Sequence, residues 1–196
     1  MQGIVDKCLR ISKTLMRRIS GGGENVLKVN VYIETDNGSK KKLYRGYGAV
    51  VEFLKRDGKP EIRKVSGMCY GNWNLAYIQA LTEALDLLIK PCIVTMFANN
   101  DYVCGNICNG RVNEWRLNGW HTALGEPIAN TDEWRDLCRV SSGHQFYFVH
   151  IREKSVYSKE IQAEIKEIRD RGRYWQQMAV LMPGRREKRN ESNSGE

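Results

Sequence analysis

Glu34 and Asp36 are the residues of this chain whose type and spacing best suit metal or phosphate chemistry. They end a run in which apolar and polar residues alternate, the pattern of a half-buried β-strand. Because every second residue of a strand projects from the same face, the two carboxylates should lie about 6.5 to 7 Å apart along the strand. Carboxylates are ligands of hard cations such as Mg²⁺, so this pair is the first candidate for a divalent-cation site.

The cysteines are the other candidate metal ligands, but their spacing argues against a metal centre. No CxxC pair occurs, no histidine stands at zinc spacing, and only Cys104 and Cys108 are one helical turn apart. We expect buried free thiols, which implies a reducing compartment, and a partial metal site at Cys104 and Cys108 is the alternative. The six cysteines are Cys8, Cys69, Cys92, Cys104, Cys108 and Cys138.

The size and charge of the chain indicate its general class. With 196 residues and 41% hydrophobic content, it is long enough for one well-packed domain with terminal extensions. Its formal charge of +8 suits a polyanionic partner such as nucleic acid, although many soluble basic proteins carry a similar charge. No apolar run reaches membrane-spanning length, and the N-terminus lacks the features of a signal peptide. We therefore expect a cytoplasmic protein with no membrane partner.

The two ends of the chain differ in pattern from its centre. Residues 4–19 have the spacing of a basic amphipathic helix, which Ser20 and three glycines separate from the first strand-like run. This helix could dock on the domain, grip phosphates as an arm, or bind a partner or a membrane surface. The polar, basic residues 183–196 are predicted to be disordered. The predicted organisation is a helix and linker over 1–23, a domain over 24–182 and the tail over 183–196.

The elements that position the candidate residues can be predicted from the apolar spacing. Three β-rich runs come first, and Asp57-Gly58 between the second and third is typical of a hairpin turn. A helix, a short strand, further helices, a fifth strand and a long helix come after them. The predicted strands cover 26–36, 47–54, 61–66, 93–97 and 146–151, and the predicted helices cover 75–89, 101–118, 131–141 and 158–178.

Four short motifs occur in order along this pattern. They are Thr35-Asp36 with Gly38-Ser39 after an inserted Asn37, then Gly46-Tyr47-Gly48-Ala49, then Trp115, Gly119-Trp120 and Thr122, and last Pro127, Asn130, Asp132 and Trp134. In these motifs and their order the chain resembles type 1 ribonuclease H, from Lys28 to about Arg173. The tryptophan-rich motif resembles the handle region with which many members of that family embrace a DNA strand.

The resemblance implies an α/β protein with the RNase H-like fold. Its sheet would be mixed and five-stranded, with strands 1–3 antiparallel, strands 4 and 5 parallel to strand 1, and helices on both faces. The element order supports this independently, because strands followed by alternating helices and strands indicate a mixed sheet covered on both sides.

The family's reaction uses two Mg²⁺ ions held by four carboxylates, and the resemblance carries only one of the four over to this chain. Asp36 matches the first ligand, whereas Tyr77, Asn99 and Gln162 stand at the other positions. A shift of register would bring Glu160 or Glu164 to the last position. Glu34 is the best candidate to rescue a missing ligand, while Asp101 is expected to cap a helix and His150 to be structural.

Residues that would bind nucleic acid match the family better than those that would cut it. Asn72 and Asn74 match polar positions that hydrogen-bond the hybrid, although helix capping explains them equally well. The handle would contribute an aromatic and basic surface, although Leu117 and His121 replace two of its usual lysines. The handle residues expected to contact nucleic acid are Trp115, Arg116, Trp120 and Thr122.

These observations predict a protein with a degenerate active site that binds an RNA-DNA hybrid, structured RNA or a ribonucleoprotein. No cofactor is expected. The first alternative is a divergent, active RNase H that uses Mg²⁺ or Mn²⁺ with Asp36, Glu34 and, after a register shift, Glu160 or Glu164. A single Mg²⁺ held by Asp36, Asn99 and a substrate phosphate is a further possibility. The second alternative is a protein-interaction module whose N-terminal helix binds a protein partner.

Overall fold

The computed structural model describes residues 26–36, 41–55 and 57–181, with side chains described up to residue 172. The predicted helix over 4–19 and the predicted tail over 183–196 lie outside the described residues. The strands are β1 (Leu27–Thr35), β2 (Leu43–Leu54), β3 (Pro60–Gly71), β4 (Cys92–Ala98) and β5 (Gln145–His150). The helices are α1 (Trp73–Asp86), α2 (Asp101–Cys108), α3 (Arg111–Leu117), α4 (Thr131–Ser141) and α5 (Ser158–Leu181).

The strands form one sheet in the order β3-β2-β1-β4-β5. β2 pairs antiparallel with both β1 and β3, whereas β4 pairs parallel with both β1 and β5. The predicted mixed sheet is therefore confirmed. The hairpin between β2 and β3 turns at Gly58, whose φ of 77° is accessible to glycine without steric cost and whose N–H donates to the Lys55 carbonyl.

Helices cover both faces of this sheet, as predicted. Val29, Val31 and Ile33 alternate along β1 and are buried in the main core, to which α1 contributes most of its apolar residues. On the opposite face, Val50 of β2 packs against Ile161 and Ile165 of α5. Burial on both faces explains why β2 carries a nearly continuous run of buried residues.

Two predicted helix boundaries differ from the structure. The segment over 101–118 was predicted as one helix, but Gly110 adopts a φ of 75° and separates α2 from α3. The helix predicted over 75–89 begins earlier, because Asn72 caps it by accepting a hydrogen bond from the Leu75 N–H at 2.9 Å.

Asn100, and not Asp101, caps α2, so that prediction was wrong. The Oδ1 of the buried Asn100 side chain accepts a hydrogen bond from the Val103 N–H at 3.0 Å. Asp101 is the first helical residue, and its carboxylate lies 2.7 Å from Nδ1 of His150 at the end of β5. His150 therefore connects β5 to α2, as expected of a structural residue.

The described part of the chain contains buried thiols. Cys69, Cys92 and Cys104 are free and buried, and burial raises the pKa of the Cys69 thiol to about 11. None of the helices in the described ranges is both long enough and apolar enough to cross a bilayer.

Candidate functional site

The candidate site lies where the parallel strands β1 and β4 end. Asp36 follows the last residue of β1, and Asn99 follows the last residue of β4. Because these strands are parallel neighbours, their carboxyl ends meet at the same edge of the sheet. A cleft of about 590 Å³ opens at that edge. It is lined by Glu34, Thr35, Asp36, Leu43, Tyr44, Arg45, Trp73, Tyr77, Asn99, Gln162 and Arg169.

Asp36 is held by two donors from different elements. Its Oδ2 accepts a hydrogen bond from the Gly46 N–H at 2.7 Å, while its own N–H donates to the Gly46 carbonyl at 3.0 Å. Its Oδ1 accepts a hydrogen bond from the guanidinium of Arg169 on α5. The Asp36 side chain is only 14% exposed, so its charge is balanced mainly by this arginine.

Glycine is required at position 46 because α5 packs directly on β2 there. A Cβ on Gly46 would collide with Cγ2 of Ile165 and would lie 3.5 Å from the Asp36 carboxylate. The same approach of helix to strand brings Arg169, one turn beyond Ile165, to Asp36. Gly46 therefore shapes the cleft because it has no side chain, which lets α5 pack closely on β2.

Tyr77 and Asn99 form one connected neutral pair in the cleft. The Tyr77 side chain is buried, packs edge-on against Trp73 with ring centroids 5.5 Å apart, and donates its hydroxyl to Oδ1 of Asn99. Burial raises the pKa of the Tyr77 hydroxyl far above its ordinary value, so it stays protonated. Trp73 also joins α1 to β1 by donating its indole N–H to the Thr35 hydroxyl at 2.9 Å.

Gln162, and neither Glu160 nor Glu164, reaches the cleft from α5. Its Nε2 donates to the Thr35 carbonyl at 3.2 Å and to Glu34 Oε2 at 3.4 Å. Glu160 and Glu164 instead pair with the Lys64 ammonium on β3, at 3.3 Å for Glu164. Of these three residues of α5, Gln162 is therefore the one whose side chain lines the cleft.

Glu34 lines the same cleft as Asp36, as the strand alternation predicts. Its carboxylate accepts hydrogen bonds from the Ser158 hydroxyl and from Gln162. Across the residues for which the structure gives side chains, no group of three or more His, Cys, Asp or Glu could hold a metal ion. The cleft therefore contains two carboxylates, each already hydrogen-bonded to side chains of α5.

Two tryptophans of the handle region are buried, contrary to the prediction. Trp115 and Trp120 were expected to offer an aromatic surface, but they are only 9% and 8% exposed. Trp115 packs edge-on against the fully buried Trp134 at 5.5 Å, because α3 and α4 share this part of the core. The exposed side chain of Arg116 and the half-buried Thr122 are what this region presents to solvent.

Asn72 and Asn74 both take part in local hydrogen bonds near the cleft. Asn72 caps α1 and also accepts a hydrogen bond from Nδ2 of Asn130 at 3.4 Å. Asn74 accepts from Nδ2 of Asn100 at 3.0 Å. In both, the side-chain oxygen is the group used, which leaves the amide N–H groups as the donors available to a ligand.

The sequence did not reveal three residues of the site: Arg169 and Trp73, which line the cleft, and the buried Ser158, whose hydroxyl donates to Glu34. A signal was present for two of them, since Ser158, Gln162, Ile165 and Arg169 are spaced by four, three and four residues and share one face of α5. That spacing shows which residues share a face, but it does not show that the face meets Asp36.

We expect Tyr77→Phe to make stability less sensitive to alkaline pH. The raised pKa means that folding favours the protonated phenol, so this stabilisation is complete below the unfolded pKa of about 10 and is lost as the pH rises through the higher folded pKa. Urea unfolding at about pH 8 and about pH 11 should show a smaller alkaline loss for the variant than for the wild type. The exposed Tyr70→Phe is the control, and equal losses in Tyr77→Phe and wild type would contradict this account.

A mixed sheet in this order, with a polar cleft at the carboxyl ends of β1 and β4, defines an RNase H-like domain. The RNase H family model matches residues 28–171, so the chain belongs to the ribonuclease H family. It is 26% identical over 127 residues to a Ribonuclease H of Lachnoclostridium phytofermentans, a match that covers 64% of this chain and 80% of the relative.

Solved structures show the same fold at low sequence identity. A type 1 RNase H with the type 2 active-site motif, LC9-RNase H1, is 18% identical with a TM-score of 0.59, and the match covers 72% of each chain. The foamy viral protease-reverse transcriptase in complex with RNA/DNA hybrid is 17% identical with a TM-score of 0.50, covering 71% of this chain and 19% of that one.

Proposed function

We propose that this chain is a catalytically degenerate RNase H-like protein that binds an RNA-containing duplex, or a ribonucleoprotein that contains one, without cutting it. The observation that carries the proposal is the composition of the cleft. Tyr77, Asn99 and Gln162, which the family resemblance matches to three ligand positions, line the cleft with neutral groups. Asp36, which it matches to the fourth, is paired with Arg169.

These donors do not fit a pair of Mg²⁺ ions. Such a pair is held by several carboxylates, whose negative charge concentrates the metal before substrate arrives. The phenol of Tyr77 stays protonated, and the amides of Asn99 and Gln162 carry no charge. A guanidinium on Asp36 further lowers the affinity of that carboxylate for a second cation.

Duplex binding is supported by family membership and by donors next to the cleft and on the handle region. The chain belongs to the ribonuclease H family, and it shares the fold of a foamy viral protease-reverse transcriptase that was solved in complex with RNA/DNA hybrid. The amides of Asn72 and Asn74, together with the exposed Arg116, could donate to backbone phosphates or 2′-hydroxyls. Such contacts read duplex shape and carry no base sequence, so binding would be sequence-independent.

One observation favours a second candidate, a divergent active RNase H. Glu34 and Asp36 line the same cleft, so two carboxylates face it from one strand. In that case Mg²⁺ or Mn²⁺ would be the cofactor, and Asp36 would have to exchange Arg169 for the metal.

A paired cleavage and binding experiment separates the two. We expect a labelled RNA-DNA hybrid to remain intact with Mg²⁺ or Mn²⁺, under conditions where an active ribonuclease H digests it. In fluorescence anisotropy, the same hybrid should bind at low salt and dissociate as salt rises, because phosphate contacts release counterions. Double-stranded DNA of the same sequence is the matched control and should bind more weakly.

Two results would contradict the proposal. Turnover that disappears in Asp36→Asn would establish the active-nuclease alternative. Negligible affinity for hybrid, double-stranded RNA and DNA at low salt would instead favour the protein-interaction module with a protein partner on the N-terminal helix.

A further inference from the structure

The cleft contains a cation of its own, supplied by Arg169. Its guanidinium donates one hydrogen bond to Oδ1 of Asp36, and the arginine side chain is 39% exposed and lines the cleft. Arginine carries five N–H donors in a planar fork, so several remain for another acceptor. The structure shows no other hydrogen bond from Arg169 to the residues whose side chains are described.

We propose that Arg169, oriented by Asp36, is a phosphate-binding group that takes over the cationic role of the family's metal ions. The ligand class is the phosphodiester of a nucleic-acid strand. The inference rests on the proposed function, since it assigns a binding group to the same cleft. It also goes beyond that function, because it makes binding independent of divalent cations.

The orientation of the pair supports this role. Gly46 holds one oxygen of Asp36 and Arg169 contacts the other, so the carboxylate is fixed between a strand and a helix. A guanidinium aligned on a fixed, 14%-exposed carboxylate loses less conformational freedom when a phosphate binds than a free surface arginine would. Asp36 would then act as a positioning residue, where its family counterpart is a metal ligand.

The charge balance of the cleft also supports phosphate binding by Arg169. The described lining contains two carboxylates, Glu34 and Asp36, and two guanidiniums, Arg45 and Arg169. Arg45 is 1% exposed and donates to the carbonyls of Lys41 and Gly71, so it supports the backbone beneath the cleft. Arg169, half-buried with a side chain that is 39% exposed, is thus the cation of this described lining that a ligand can reach. A cleft with four carboxylates would repel a phosphate until metal bound, whereas this one is electrically balanced without metal.

Hybrid affinity should therefore be complete in EDTA and should not increase when Mg²⁺ is added at constant ionic strength. Arg169→Ala should weaken hybrid binding by about tenfold, which corresponds to roughly 1.4 kcal/mol. Its plot of log affinity against log salt should be shallower by about one phosphate contact. Arg169→Lys should keep more of the salt dependence than Arg169→Ala because it keeps the charge.

Arg171→Ala is the matched control, since Arg171 is an exposed arginine on the same helix, outside the cleft and near Glu167. It should leave both affinity and salt dependence unchanged. Thermal unfolding of each variant should show that α5 remains docked, because Ile161 and Ile165 are untouched.

Three results would overturn the inference, and they can be told apart from failure of the proposed function. Wild-type hybrid binding that needs Mg²⁺ would mean that a metal, and not Arg169, neutralises the cleft. If Arg169→Ala still binds the hybrid without cutting it, and its affinity and salt dependence are unchanged, then the contact between Asp36 and Arg169 is only structural. The proposed function would not be affected by that result. If the wild type does not bind the hybrid at all, both the role of Arg169 and the proposed function are contradicted.

Discussion

The combined variant Asn99→Asp, Gln162→Asp and Arg169→Ala is expected to bind Mn²⁺ where the wild type does not. With Glu34 and Asp36 it would bring four carboxylates to the cleft and remove the competing guanidinium. Mn²⁺ at a hundred times its dissociation constant should stabilise the variant by about 2.7 kcal/mol. For a domain of this size, this stabilisation should raise the melting temperature by roughly 5 to 10 °C. Thermal unfolding with and without Mn²⁺ measures the effect, and the wild type should show no such rise.

The choice of positions follows from burial. Asn99 is exposed and Gln162 is half-buried, so new carboxylates at these two positions remain hydrated until metal binds. Tyr77 is left in place because its side chain is only 2% exposed, and an isolated carboxylate buried there would cost several kcal/mol. The Tyr77 hydroxyl can still donate to an aspartate at position 99, as it now does to the Asn99 oxygen.

Adding Asp36→Asn to this variant is the control, since it removes one of the four acids without changing size. It should weaken Mn²⁺ binding strongly. If the combined variant cleaves the hybrid and the wild type does not, the proposed cause of inactivity, a lack of carboxylates in the cleft, would be supported. If Mn²⁺ changes neither the melting temperature nor the hybrid cleavage of the variant, then the geometry of the cleft, and not only its charge, is unsuited to binding the metal.

Gly46→Ala is expected to destabilise the fold by about 1 to 3 kcal/mol, because its Cβ would overlap Ile165. Ile165 is β-branched and 1% exposed, so its Cγ2 has little room to move away. The new methyl group would also lie in van der Waals contact with Oδ2 of Asp36, at 3.5 Å. Urea unfolding measures the loss, and hybrid affinity should fall with it as α5 and Arg169 shift.

Gly105→Ala is the matched control for this substitution. Gly105 lies inside α2, and a Cβ there meets no atom within 4 Å. Because alanine favours helix by about 0.8 to 1 kcal/mol over glycine, this control should stabilise the protein slightly. Combining Gly46→Ala with Ile165→Ala should show a favourable coupling energy, since the second change removes the colliding methyl group. Simple additivity of the two losses would contradict the steric explanation.

Much of the fold could be predicted because the local patterns and the tertiary fold agree. The alternation along β1 identified its buried face, since Val29, Val31 and Ile33 meet α1 whichever strands lie beside them. Asp57-Gly58 predicted the hairpin because the left-handed conformation at Gly58 is a local backbone property. Gly110 shows the limit of this approach, because its positive φ divides a segment whose apolar spacing looks continuous.

The candidate site was only partly predictable. Asp36, Tyr77 and Asn99 were found because each has a fixed place relative to a motif or an element end, whereas the register at Gln162 left Glu160 and Glu164 as alternatives. The structure brings Asp36, Tyr77, Asn99 and Gln162 to one cleft. Trp115 and Trp120 were misjudged because indole rings suit a core and a binding surface equally well, and only the packing of α3 on α4 buries them. Whether these residues act on nucleic acid stays a prediction.

The sequence by itself determined the alternating strand β1 and the carboxylate that follows it, because these depend on residue identity and local spacing. The strand order, and the ligand positions matched to Tyr77, Asn99 and Gln162, came from the resemblance to the ribonuclease H family. Only the tertiary structure decided what faces Asp36. Arg169 is 133 residues away in sequence, and its contact requires α5 to lie close on the glycine-bearing β2. Such a contact depends on the angle and depth at which a helix packs, which no local pattern encodes. Asp36 was visible in the chain, but the guanidinium that pairs with it was visible only in the fold.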